Sequence, residues 1–332
     1  MAHEYKNEVE EIIANTDFID NQIFDISLSP HADEFANTFN FYRDTLSAAI
    51  KYGVDSSYIF YSNDRVPNAK AGISKGHGII IFNAGLLISL IQNLLEKGEI
   101  DDVIKNEYAE FHKFLDNPGN HLVYQAAQHF TFYHELAHLI QQSKELSNYL
   151  SERSTQPEVF DFTKHKLEID ADSFSAIAIA AHVHQYIFKI FKEDLSIEKV
   201  ESIIEIFCSG VLLYFLSFDS FKDEIYYEEG THPHPILRIL NVIMIITQYC
   251  RESHQFKDKE ININHLKIMK QTLILTSELE EKTFGTAKSK SFLEALKDER
   301  KNIIEYYQKI RGFIPENFVL AEYKWNETIR KE

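Results

Sequence analysis

Apolar residues recur at helical spacing along most of this chain, and only two short stretches replace that rhythm with strand-like runs. Between residues 4 and 52, Phe35, Phe39, Phe41, Leu46 and Ile50 mark a predicted helical region. SSYIFYSN (56–63) and GIIIFN (78–83) are rich in β-branched and aromatic residues and predict two strands. The Asn-, Pro- and Gly-bearing segment between them, NDRVPNAKAGISKGHG (63–78), predicts a loop. AGLLISLIQNLLEKG (84–98) predicts a helix halted by a glycine. A long apolar helix follows over 120–147, then a loop at STQPE (154–158), then an alanine-rich helix over 167–191. IIEIFCSGVLLYFLSF (203–218) is the best membrane candidate, but its length and its Glu205 fall short of the ~20 apolar residues a span needs, so it predicts a buried core helix. DEIYYEEGTHPHP (223–235) reads as irregular, ILRILNVIMIITQYC as a further helix, and 255–332 as helical and charged without a chemical constellation.

This pattern predicts an α+β fold, predominantly helical, with a small sheet. Scarce breakers (11 Gly and 7 Pro in 332 residues) agree with it. The expected organisation is a helical N-terminal extension (1–55), a domain carrying the chemistry (56–250) and a helical C-terminal extension (251–332) packed on it. A net charge of −17 argues against a nucleic-acid partner and disfavours anionic membranes, while leaving peripheral membrane contact through local basic patches open. Two cysteines, Cys208 and Cys250, sit in apolar surroundings without a Cys-x-x-Cys pair, which suits a reducing cytoplasm. The acidic N-terminus has no apolar core of a signal peptide, and no integral membrane segment is expected.

Candidate chemistry begins at HFTFYHELAHLIQQ (129–142). His134 and His138 are four residues apart, so on a helix they share a face and can offer two imidazole nitrogens to one ion. Glu135 is placed to act as general base on a metal-activated water. The competing reading is a core helix with two satisfied histidines. LEIDADSFSA then offers Glu168, Asp170 and Asp172. Glu168 and Asp172 share a face and Asp170 points elsewhere. With Glu168 as a third ligand, Asp172 stands one turn along, where the spare N–H of a ligand histidine would find it; an acidic first turn complementing the helix dipole is the alternative. GTHPHPILR supplies His232, His234 and Arg238 as candidate donors to a developing oxyanion.

These segments together resemble the gluzincin metalloproteases of the CAAX-prenyl-protease and HtpX-like family. That family follows H-E-x-x-H with a helix opening E-x-x-A-D, matched by Glu168 to Asp172. It then has a Ser or Thr, His-Pro and an Arg six residues after the His, matched by Thr231, His232, Pro233 and Arg238. An upstream Asn-Ala loop, strand and Gly-Leu-Leu match Asn68, Ala69, Gly85, Leu86 and Leu87. The likeness spans roughly residues 60 to 245. It implies a minigluzincin-like zincin core, one zinc ion per chain on His134, His138 and Glu168, and hydrolysis of peptide bonds in a protein or peptide substrate. It further implies Asp172 and Arg238 behind the ligands, His232 and Asn68 beside the scissile bond, and an edge strand bearing Ile79, Ile80 and Ile81 along which substrate lies. The 30-residue gap from His138 to Glu168 is shorter than in membrane members. That short gap resembles ImmA/IrrE-like regulatory proteases, and a soluble form resembles the phage-exclusion Lit-type proteases, which share H-E-x-x-H and act on one protein target. A non-catalytic zincin scaffold serving as an interaction protein is the contrasting class; an intact Glu135 argues against it.

Overall fold

Aromatic side chains that a helix can hide only against a strand organise the first of two compact units. The computed structural model describes residues 2–52, 54, 56–141, 160–192, 194–218 and 224–311; the expected loop at 154–158, the helix end at 142–147 and the chain beyond 311 lie outside the described residues. The first unit holds α1 (Ala2–Asn15), α2 (Ala32–Ser47), β1 (Ser57–Ser62), β2 (Ala69–Ser74), β3 (His77–Asn83) and α3 (Ala84–Leu90), with residues 131–141. Phe35 and Phe39 of α2 and Tyr5 of α1 are buried over β1. Tyr5 meets Phe39 edge-on at 5.0 Å and donates its hydroxyl to the Phe24 carbonyl at 3.0 Å.

The sheet has the order β1-β3-β2, with β1 parallel and β2 antiparallel to β3. This corrects two expectations. The segment 69–74, read as loop, is a strand: Lys75 and Gly76 (φ 47° and 84°) make a two-residue turn that pairs Ser74 with His77. Two consecutive positive φ values are what a type I′ hairpin turn requires. The second correction follows from the first. The strand bearing Ile79, Ile80 and Ile81 is central, not an edge: Ile80 pairs with Ile59 on one side and Ala71 on the other, and all three isoleucines are buried. Its main-chain groups are used, so no substrate strand can be added there.

Gly85 shows why α3 starts where it does. The loop after β1 runs so close that a Cβ on Gly85 would lie 2.0 Å from the Arg65 carbonyl oxygen, and the Gly85 N–H donates to the Asp64 carbonyl at 3.0 Å. α3 continues as a π-helical turn, Ile91–Leu95, which belongs to the second unit.

That second unit is helical: α4 (Gly98–Glu107), α5 (Ala109–His112), the first half of α6 (Gly119–Gln141), α7 (Phe162–Phe191), α8 (Ile197–Leu216), α9 (Pro235–Glu252), α10 (His254–Lys257), α11 (His265–Phe284), α12 (Lys288–Asp298) and α13 (Arg300–Arg311). Its long helices begin at side-chain caps: Asp161 accepts from Thr163 N, Ser196 from Lys199 N and Asn264 from Leu266 N. α8, the apolar stretch singled out in the sequence, is buried at every residue from Lys199 to Leu216, with α9 and α11 packed on it. Among the described residues, only α7 is long and apolar enough to cross a membrane by length and composition, and its main packing partner is α9. Glu205 of α8 is buried and accepts the Tyr108 hydroxyl at 2.7 Å. Burial raises its pKa to about 7, against the lowering pull of the Tyr108 hydroxyl.

Two stability outcomes follow. Gly85→Ala should cost about 1–3 kcal/mol in urea unfolding, the usual penalty of forced overpacking, whereas Gly72→Ala, where a Cβ meets nothing within 4 Å, should stay within about 0.5 kcal/mol. Equal effects at both positions would refute the close-approach argument. For Glu205, the folded state holds its proton up to about pH 7 while the unfolded chain releases it near the ordinary glutamate value of 4.5. Between those values the folded state binds more protons, so stability falls as pH rises through that window and levels off above it. Glu205→Gln should flatten this decline, and an unchanged pH profile in that variant would remove Glu205 as its source.

Candidate metal centre

α6 passes unbroken from the second unit into the first, and its last turns carry the two motif histidines. They are anchored by an aromatic column: Phe132 stacks on Tyr42 of α2 at 4.5 Å, and Tyr42 stacks on Phe82 of β3 at 4.9 Å. His134 and Glu135 are buried, at 7% and 6% exposure. The rings of His134 and His138 stand nearly perpendicular, with their Nε2 atoms 3.1 Å apart. Gln141, one turn further on, presents its Oε1 to His138 Nδ1 at 2.7 Å. An acceptor there places the ring hydrogen on Nδ1 and leaves the Nε2 lone pair available.

α7 brings the carboxylates. Asp172 is fully buried, and Arg238 from α9 donates to both its oxygens, Nε at 2.8 Å and Nη2 at 2.6 Å. The same guanidinium lies 4.0 Å from Glu168 Oε2 and covers the Phe215 ring at 4.4 Å. Arg238 therefore finds the carboxylate its burial demands, and its pKa is pushed above the usual arginine value by Asp172 despite the opposing effect of burial. His232 Nε2 stands 3.4 Å from Glu168 Oε2, while Thr231 Oγ1 meets its Nδ1 at 2.9 Å. His234 does a different job: it is wholly buried between Tyr226 and Phe292, and its Nδ1 accepts from Ile236 N to cap α9, with Pro235 at the first helical position.

His134, His138 and Glu168 form a group whose ligand atoms all lie within 4.8 Å of one another, and which could hold a metal ion. The donor set fits a divalent transition metal. Two imidazole nitrogens on a tetrahedral zinc at 2.0–2.1 Å would be about 3.3 Å apart, and the observed separation is 3.1 Å. Three protein ligands also leave a fourth position open.

Asp170 and Asn68 are not in this group. Asn68 is exposed at the start of β2, where its Oδ1 accepts from Ala69 N and its carbonyl from Asn83 N. Asp172, placed by its spacing against a ligand histidine, pairs with Arg238, and the partner of His138 is Gln141. Sequence reasoning passed over Gln141 although its i+3 spacing from His138 is a usable signal. No protein-family model matches the chain, and neither the curated proteins nor the solved structures provide a match.

The Asp172–Arg238 pair yields a double-variant outcome. Arg238→Met leaves a fully buried carboxylate without its guanidinium and should cost about 3–5 kcal/mol, while Arg238→Met with Asp172→Leu should recover most of the loss. Additive losses measured by thermal unfolding would show that the pair is not the unit of stability.

Proposed function

We propose that the chain is a zinc-dependent endopeptidase with a gluzincin-type core, acting on a protein or peptide substrate. The observation that carries this reading is the convergence of His134, His138 and Glu168, with Glu135 buried in the turn of α6 between the two histidines. Two neutral imidazoles and one carboxylate are a zinc donor set of the catalytic kind. When bound, zinc polarises a scissile carbonyl and lowers the pKa of water towards ~7.

The chain's own groups supply the rest. Glu135 follows His134 and is turned about 100° from it around the helix, so it serves the attacking water and not the ligand set. Its carboxylate takes the water's proton and returns it to the leaving amine. With the Thr231 hydroxyl donating to Nδ1, His232 carries its hydrogen on Nε2, beside Glu168, where it donates to the carbonyl oxygen as negative charge develops. Arg238 holds Asp172 and, through its second reach to Glu168, fixes the carboxylate's height on α7.

Purified protein should retain about one zinc per chain. His138→Ala and Glu168→Ala should lose most of it, and full retention in Glu168→Ala would remove that residue from the ligand set. Glu135→Gln should keep zinc and fold while losing nearly all turnover in a comparison of peptides released in cells carrying the native chain or the variant. Near-native cleavage by Glu135→Gln would end the general-base assignment.

A further inference from the structure

His165 lies on α7 three residues before Glu168, fully buried, with both ring nitrogens engaged. Its Nδ1 meets the Tyr306 hydroxyl of α13 at 3.0 Å, and its Nε2 meets the Glu229 carbonyl at 3.1 Å. Glu229 is three residues before His232 and next to Gly230, whose φ of +65° turns the loop at that point. A second tie runs alongside: Tyr227 of the same loop donates its hydroxyl to Glu299 Oε2 at 2.9 Å, at the start of α13, and packs edge-on against Tyr306 at 5.5 Å.

We infer that His165 and Tyr306 are positioning residues, a hydroxyl–imidazole–carbonyl chain from α13 through α7 that sets where the His232 loop stands over Glu168. The inference rests on the endopeptidase reading for its consequence and on this bonding alone for its geometry. The polarity of the chain is consistent throughout. The tyrosine hydroxyl donates to Nδ1, so the ring hydrogen is on Nε2 and donates to the carbonyl. Burial lowers the His165 pKa and keeps the ring neutral, which preserves one donor and one acceptor. The middle and the far end of the chain both have chemical addresses. One is the helix turn that presents the third ligand; the other is the loop that presents His232, 3.4 Å from that ligand. The role also explains why α13, which carries no chemical motif, packs onto α7.

The test uses the full chain and three variants, Tyr306→Phe, His165→Ala and His165→Gln. Gln can donate to the Glu229 carbonyl and accept from Tyr306, so it is the conservative rescue. The measurements are zinc affinity by chelator competition, hydrogen exchange of residues 228–232, and kcat and KM on a cleaved peptide. In Tyr306→Phe and His165→Ala, exchange in 228–232 should rise about tenfold or more with zinc affinity near native, and kcat should fall about 10–100-fold at unchanged KM, the scale of a displaced catalytic group. His165→Gln should lie closer to native on both readouts. Native exchange in that loop for folded Tyr306→Phe and His165→Ala overturns the inference, as does a kcat loss that merely follows the folded fraction. Exchange and metal affinity need no substrate, so they judge this inference even where the native chain cuts no peptide, an outcome that would defeat the endopeptidase reading alone.

Discussion

A carboxylate with no access to water governs the arrangement of the second unit. Asp172 is fully buried on α7, and an ionised group there is tolerable only with a charge partner that also satisfies its oxygens. Arg238 meets that demand from α9 with two short hydrogen bonds, while its guanidinium plane rests on Phe215 of α8. One side chain thereby ties three long helices at one level. Glu168 is one turn away on α7 and within 4.0 Å of the same guanidinium. One guanidinium thus faces two carboxylates of α7.

The position of Arg238 depends in turn on how α9 starts. His234 caps the helix and Pro235 fixes its first dihedral, so Arg238 falls one turn in, on the face towards α7. The two histidines of the His-Pro-His-Pro segment are therefore separated by environment. His234 is locked between aromatic rings as a cap, and its one acceptor nitrogen is spent on Ile236 N. His232, two residues earlier, is more than half exposed and stands beside Glu168. Equal residues in a near-repeat acquire opposite duties because one precedes a helix directly and the other precedes the turn before it.

Legibility in the sequence followed the range of the interaction. Helical periodicity gave α2, α6, α7 and α9, and the apolar run of α8 read correctly as a core helix, because each pattern is local. β2 did not, since Ala69–Ser74 has one β-branched residue and sits among Asn, Pro and Gly. Its strand state comes from pairing with β3 across a turn that tolerates positive φ at Lys75 and Gly76. The edge position of β3 was an implication of the family resemblance, and pairing with both β1 and β2 overturns it. At the site, the spacing of His134, His138 and Glu168 was readable, and Arg238 was placed behind them without a partner carboxylate being named. That Asp172 would be that carboxylate required the α7–α9 contact. His165, Tyr227 and Tyr306 were invisible, because their meaning lies in hydrogen bonds that close 64, 72 and 141 residues of chain.

The candidate ligand from α7 differs from the other two in how it must be held. His134 and His138 occupy successive turns of one helix, so their mutual spacing is set by backbone hydrogen bonds alone. Glu168 comes from a separate helix, which Ser175 ties to α6 by donating to the Phe130 carbonyl at 3.2 Å. The turn of α7 around Glu168 is held further. Tyr306 bonds His165 before it, and the next residue, Tyr307, donates to Asn241 Oδ1 at 2.8 Å. Asn241 in turn donates to the Ile169 carbonyl and to Ser173 Oγ, just after Glu168. Consecutive tyrosines on α13 thus bracket the carboxylate from both sides, one directly and one through α9. A helix can slide or rotate about its axis under packing forces, which are non-directional, but not while three side-chain hydrogen bonds of fixed geometry hold residues 165, 169 and 173. α13 is by this argument part of the apparatus that fixes Glu168, the candidate third ligand.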